Sequence, residues 1–234
     1  MSIFAVLNPA VSLAFHVVEG LSHVLPTGLA IVAFTVAVRL ILFPLSRAAA
    51  RGEQARSRLG PQVAELQRKH RSDPRRQQQA VADLYRQEGI SPVTGCLPRL
   101  VQAPFFTVMY RLFTLASIGS HDNVLLEQTV FAVPLGDHVL TVATMPHLLV
   151  FAAVYLAIGG VAYLTCRQLR ATTATADASG APALMAKISP LLPFGTVIVA
   201  AFLPLAGAIY LLTSTAWTYA ERRVLAPVPS AAPA

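Results

Sequence analysis

Charged residues are scarce in this chain, making up 12% of its 234 residues, whereas 55% of the residues are hydrophobic. A soluble domain usually carries about twice that share of charge. So few charges cannot cover a surface that faces water. The composition therefore excludes an ordinary soluble globular protein and predicts that a lipid bilayer surrounds much of the chain.

Residues that could carry catalysis or bind a metal are also few. The two cysteines, Cys96 and Cys166, provide neither a disulfide framework nor a metal-binding cluster. The six histidines show no metal-ligand spacing, and no nucleophile elbow, phosphate loop or dinucleotide motif occurs. We expect no catalytic residue, no metal, no cofactor and no enzymatic activity.

Basic residues are missing from one long connection and concentrated in another. Residues 116–144 contain no Lys or Arg, whereas residues 47–86 contain ten of them against four acidic residues. Membrane proteins keep their basic connections in the cytoplasm. This asymmetry predicts that the segment following residue 46 is cytoplasmic and that residues 117–144 form an extracytoplasmic loop.

Five apolar segments are each long enough to be predicted as transmembrane helices, since about 20 helical residues cross the hydrocarbon core. The sequence therefore predicts an all-α membrane protein with its N-terminus outside and its C-terminus in the cytoplasm. The predicted spans are 27–46, 95–116, 145–165, 186–203 and 205–222, the last two joined by a tight turn at Leu203-Pro204.

The remaining segments have different predicted roles. Residues 1–26 contain an amphipathic helix that we expect to lie in the membrane interface. Residues 47–94 should form a cytoplasmic hairpin of two helices, near 47–70 and 74–88, with a bend or restart at Gly60-Pro61, an N-cap at Asp73 and a stop at Gly89. Residues 166–185 form a second cytoplasmic loop, and we expect disorder in the tail 226–234.

Arg39 is the outstanding residue of the first predicted span. It lies seven residues before Ser46, about 10 Å from the cytoplasmic end of a helix. Its side chain could reach the headgroups alone, as long basic side chains do. It could equally face a polar stripe, because Thr35 lies one turn earlier on the same helix face.

Polar residues in the other predicted spans offer the same two interpretations. Ser and Thr in membrane helices usually bond to their own helix or to a neighbouring one. Taken together with Arg39, however, the set could line one hydrated groove, and this is the interpretation that we favour. The proposed groove residues are Arg39, Thr35, Gln102, Tyr155, Ser189, Thr213, Ser214 and Trp217.

Four runs of this sequence, in order, resemble the YidC family of membrane protein insertases, which includes mitochondrial and chloroplast relatives. Residues 28–47, ending in Phe43-Pro44-Leu45-Ser46-Arg47, are similar to that family's first core span, and residues 61–85 are similar to its helical hairpin. Residues 95–111, with Gln102-Ala103-Pro104-Phe105-Phe106, resemble its second core span. Residues 202–217, with Phe202-Leu203-Pro204-Leu205-Ala206-Gly207, resemble its last hairpin.

The resemblance implies five core helices around a hydrophilic groove that is open to the cytoplasm and to lipid and closed on the outside. It implies that Arg39 is the groove arginine. It further implies a bacterial plasma (inner) membrane protein and chaperone that inserts nascent membrane proteins, with the ribosome, the Sec translocon and the bilayer as partners and no direct reading of nucleic acid.

The chain departs from the family pattern at Arg99 and Ala103, where larger apolar residues are expected. The residues after Arg223 carry no charge, unlike the long basic tail through which some members dock ribosomes.

Two other functions are compatible with the sequence. A small transporter or channel could use Arg39 to bind an anion, although the chain shows no internal repeat of the kind that transporters have. A scaffold that only assembles already inserted helices would contact those helices rather than emerging segments.

Overall fold

The computed structural model describes residues 8–89, 144–174 and 188–225, together with most of 107–139. The helices are α1 Asn8–Ser22, α2 Thr27–Arg58, α3 Gly60–Lys69, α4 Pro74–Gln87, α5 Met145–Ala174, α6 Gly195–Ala201 and α7 Leu205–Leu225. A 3₁₀ helix, Ser189–Phe194, leads into α6. The strands are β1 Ser117–Ile118, β2 His121–Asp122, β3 Thr129–Val130 and β4 Val133–Pro134. Residues 107, 108 and 110–113 are also helical, so the described part is mainly helical, with two short hairpins that an all-α prediction leaves out.

Two described helices are long and apolar enough to cross a membrane by length and composition, in the segments Thr27–Gly52 and Met145–Arg170. Each has 26 residues, or about 39 Å of helix, which exceeds the hydrocarbon core. Large apolar side chains point outward on these helices, among them Ile41 at 75% exposure and Leu156 at 76%. Such contiguous exposed apolar surface suits lipid rather than water.

Helix α2 passes without interruption through the predicted end of the first span at residue 46. Pro44 lies inside the helix, and the helix continues to Arg58. A proline removes one backbone hydrogen bond, which the surroundings of a membrane helix can compensate. The first predicted span and the beginning of the predicted cytoplasmic helix therefore form one continuous helix, and the membrane boundary near residue 46 stays a prediction.

The predicted hairpin consists of α3 and α4, which pack against each other. Helix α3 begins at Gly60 with Pro61 in its first turn, so the predicted helix over 47–70 is divided between α2 and α3 at the site where a bend or restart was predicted. Helix α4 begins at Pro74, and the Asp73 side chain accepts hydrogen bonds from the backbone N–H groups of Arg75 and Arg76. Gly89 has a positive φ of 66° just after this helix. These termini follow from local sequence signals of the kind that cap helices.

The C-terminal helices differ from the predicted fourth span. Residues 189–201 form a 3₁₀ helix followed by the seven-residue α6, instead of one α-helix over 186–203. Pro190 and Pro193 lie in the 3₁₀ helix and lack the N–H groups that a regular α-helix would use.

Two other helix boundaries can be compared with the predictions. Helix α5 extends to Ala174, beyond the predicted end of the third span at residue 165 and into the predicted loop. Helix α7 begins after a turn at residues 202–204, where the tight connection was predicted.

The predicted outer loop folds over one end of the helices. Its hairpins pair β1 with β2 and β3 with β4. Leu125, Val133 and Leu135 of this loop are buried in the same apolar cluster as Phe113 and Phe151. The backbone N–H of Leu205 donates to the Asp137 carbonyl at 2.9 Å, and that of Ala206 donates to the Leu135 carbonyl at 2.9 Å. The loop therefore satisfies two of the donors that the start of α7 would otherwise leave unpaired.

Helices α2 and α7 run side by side in the same direction. Both begin at the folded loop, because Gly28 packs against Val130 while Leu205 bonds to Asp137. At their other ends, the Gln54 side-chain amide donates to the Leu225 carbonyl at 2.9 Å. Residues at similar distances from the loop on the two helices can therefore face each other.

Alanine at position 28 should loosen the contact between α2 and the loop. A Cβ atom there would lie 2.8 Å from Cγ2 of Val130, a stiff side chain in β3. We expect Gly28→Ala to lower the free energy of unfolding by about 1 kcal/mol, the low end of the cost of overpacking.

Gly20→Ala in α1 is the matched control, because nothing lies within 4 Å of the added carbon. It should raise the free energy of unfolding by about 0.5–1 kcal/mol through better helix propensity. Thermal unfolding of both variants in detergent measures the two effects, and equal shifts of the same sign would contradict the described packing.

Candidate functional site

Arg39 projects from the middle of α2 toward α7. It lies twelve residues after Thr27, about 18 Å along the helix from the loop end. Its Nη2 donates to the side-chain Oγ of Ser214 and lies 3.4 Å from the Ser214 backbone oxygen. Arg39 is half-buried, whereas Ser214 is 6% exposed. The side chain therefore turns into the protein here, rather than toward the lipid face.

The partner surface is one face of α7. Tyr210, Ser214, Trp217 and Glu221 lie within about 60° of one another around a helix of 3.6 residues per turn. Tyr210 is buried, one helical turn before Ser214. Glu221 lies about two turns after Ser214 on this face. This face of α7 thus brings a phenol, a hydroxyl, an indole and a carboxylate onto the side that meets Arg39.

Two other residues proposed for the groove bond within their own helices. The Thr35 hydroxyl donates to the Ile31 carbonyl at 2.7 Å, and the Thr213 hydroxyl donates to the Ile209 carbonyl at 2.9 Å. Thr35 is 3% exposed. These are the ordinary bonds of Thr in apolar helices. Neither of these hydroxyl hydrogen bonds involves Arg39.

Tyr155 connects α5 to α6 rather than contacting Arg39 directly. Its hydroxyl donates to the Ala200 carbonyl at 3.3 Å, and its ring lies 6.0 Å from that of Phe151. Tyr155 packs against both apolar clusters of the described chain. Gln102 and the side chain of Ser189, the last two proposed groove residues, lie outside what the structure describes.

Glu221 and Tyr210 are the residues of this site that the sequence analysis did not propose for the groove. Glu221 lies at the helix end that carries Arg222 and Arg223. Its spacing of seven residues from Ser214 was the available signal, because residues seven apart share a helix face. Oε1 of Glu221 and Nε1 of Trp217 are buried without a hydrogen-bond partner among the described residues.

The arrangement can hold an anionic or strongly polar group. The hydrogen bonds from Arg39 to described residues all come from Nη2, which leaves donors on Nη1 and Nε directed elsewhere. Within the described residues, no group of three His, Cys, Asp or Glu side chains could hold a metal ion. The chemistry of the site is therefore that of a fixed cation beside hydrogen-bonding groups.

The sequence is similar to known proteins over most of its length. Residues 19–228 match the family "60Kd inner membrane protein". "Membrane protein insertase YidC" of Caulobacter vibrioides (strain NA1000 / CB15N) is 39% identical over 87 residues, which are 37% of this chain and 14% of that protein. The protein of the same name from Clostridium perfringens (strain 13 / Type A) is 39% identical over 80 residues, 34% of each chain.

A third relative of that name, from Chlamydia caviae, is 39% identical over 85 residues, which are 36% of this chain and 11% of the relative. The aligned parts thus cover between about a tenth and a third of these curated relatives. The match to the family as a whole extends over far more of the chain. The protein belongs to the 60Kd inner membrane protein family, the family of the YidC insertases.

Proposed function

We propose that this protein is an insertase and chaperone that helps newly made proteins to insert, fold or assemble in the bacterial plasma membrane. The observation that carries the proposal is the half-buried Arg39, held against Ser214 on a polar face of α7, in a chain of this family. The names of its relatives call those proteins membrane protein insertases.

In the proposed mechanism, Arg39 lies in a hydrophilic groove among five membrane-spanning helices. A polar segment of the substrate that enters this groove keeps part of its solvation while its apolar flanks touch lipid, which lowers the cost of crossing. Acidic residues in that segment are attracted to the guanidinium, and a low dielectric strengthens the attraction. The folded loop at the start of α2 and α7 would close the outer end of the groove.

The proposed orientation places the α3–α4 hairpin and the C-terminus in the cytoplasm and the loop outside. It follows the distribution of basic residues, ten of which lie between residues 47 and 86. The hairpin would receive or guide substrates, with the ribosome and the Sec translocon as further partners. The hairpin has six basic and three acidic residues between positions 60 and 87, and this moderate excess of positive charge suits contact with acidic surfaces.

Photocross-linking during translation tests this function. A photoreactive residue at position 39 should cross-link to a short nascent membrane protein on its ribosome. Position 41 is the control, because Ile41 lies on the same helix at similar depth and is 75% exposed on its outer face. It should cross-link mainly to lipid.

Vesicles that contain the purified protein should also take up such a substrate into their membrane, whereas empty vesicles should not. Equal substrate cross-linking from both positions, without insertion above the level of empty vesicles, would refute the proposal. A flux of small anions through the vesicles would instead favour a transporter.

A further inference from the structure

The polar face of α7 carries an acidic residue whose charge opposes that of Arg39. Glu221 lies seven residues after Ser214, about 10 Å further along the same helix face. Arg39 bonds to Ser214 on that face, so Glu221 lies on the side of α7 that the guanidinium meets, and the opposite charges favour each other. The described residues include no salt bridge between the two side chains. The carboxylate is thus close enough to act on the guanidinium without being locked to it.

One carboxylate oxygen of Glu221, Oε1, is buried and accepts no hydrogen bond from the described residues. The nearest polar side chain on the same face, Trp217, lies four residues earlier, and its buried Nε1 donor is likewise without a described partner. A buried acceptor without a donor is costly and needs an explanation. A role for the carboxylate as a long-range charge provides one.

We propose that Glu221 is an internal counter-charge that sets how strongly this protein engages acidic segments. This inference rests on the proposed insertase function. An acidic substrate residue that approaches Arg39 meets a guanidinium whose field the carboxylate partly cancels, and the substrate is also repelled by the carboxylate itself. Both effects weaken the binding of acidic segments, and neither acts on neutral ones. Glu221 therefore determines specificity and promotes release.

The Glu221→Gln variant keeps the size of the side chain and removes its charge. The experiment keeps Arg39 in place and compares the insertion into vesicles of two substrates that differ only in their translocated segment, one with two Asp residues and one with two Asn residues. The variant should raise the ratio of acidic to neutral substrate inserted by about threefold, because the Coulomb term changes for the acidic substrate alone.

Glu88→Gln is the matched control, since it removes one carboxylate from an exposed site at the end of α4. It should leave the ratio at the wild-type value. In the Arg39→Ala background the effect of Glu221→Gln should shrink, because one of its two causes is absent.

If Glu221→Gln leaves the ratio of acidic to neutral substrate unchanged, or lowers insertion of both substrates equally, Glu221 does not act as a counter-charge. A wild-type protein that captures and inserts neither substrate above the level of empty vesicles would overturn the insertase function itself. The two failures are therefore distinguishable.

Discussion

Arg39→Ala is expected to reduce insertion of substrates with acidic translocated segments by about tenfold, which corresponds to the loss of one partly screened charge interaction of about 1.4 kcal/mol. The reason is that the half-buried guanidinium is the cation that α2 presents to the polar face of α7. Insertion of a substrate with a neutral segment should change much less. Initial rates of insertion into reconstituted vesicles measure both effects.

Two control variants separate charge from folding. Arg39→Lys should retain much of the activity, because the charge persists while the hydrogen-bonding geometry toward Ser214 changes. Arg47→Ala removes an exposed Arg from the same helix, two turns later, and should leave the acidic-to-neutral ratio unaltered. If the Arg39→Ala variant inserts acidic and neutral substrates at wild-type rates, the electrostatic account of the groove fails.

Asn123→Asp should destabilise the folded loop by about 3 kcal/mol, because it replaces two buried hydrogen bonds with an unpaired buried charge. Asn123 is 3% exposed, and its Nδ2 donates to the carbonyls of Leu112 at 2.7 Å and Leu115 at 2.9 Å. These bonds join the loop to the end of the preceding helix. A carboxylate at this position would face two carbonyl oxygens without a donor.

Asn8→Asp provides the comparison for this variant. Asn8 is exposed and its Oδ1 accepts a hydrogen bond from Arg111 at 2.8 Å, so a carboxylate there keeps its acceptor and gains an opposite charge. Thermal unfolding in detergent should show a large decrease for Asn123→Asp and almost none for Asn8→Asp. Similar melting temperatures for the two variants would show that the Asn123 bonds do not hold the loop.

Local sequence signals predicted the hairpin most accurately. Asp73 followed by Pro74 starts α4, and Gly89 follows its end, because capping depends on neighbouring residues alone. Pro44 lies inside the 32-residue helix α2 and does not end it, although a proline removes one backbone hydrogen bond.

Two further features were not predicted, one set by local residues and the other by tertiary contacts. The apolar run before residue 203 indicated burial or lipid contact, but its prolines decided between an α-helix and a 3₁₀ helix. In the β3–β4 hairpin, Phe131 and Ala132 both have positive φ angles, although the turn lacks the Gly or Asn that would signal them. The packing of Val130 on Gly28 and the burial of Val133 fix this turn from outside its own sequence.

The site shows the same division. A cation in an apolar run is conspicuous, so the sequence alone identified Arg39 as a candidate. Whether its side chain faces lipid or protein depends on the position of Ser214, which the sequence does not give. Glu221 was overlooked because it adjoins two arginines at a helix end, where a charge is ordinary.

The two hydrogen bonds that join the folded loop to the start of α7 involve main-chain atoms only. The oxygens of Leu135 and Asp137 receive the bonds, and every amino acid, proline included, supplies that oxygen. The residue type at position 137 can therefore change during evolution without loss of these hydrogen bonds, provided that the backbone keeps the same path. Homologues with little identity in this stretch can still anchor the last helix in the same way.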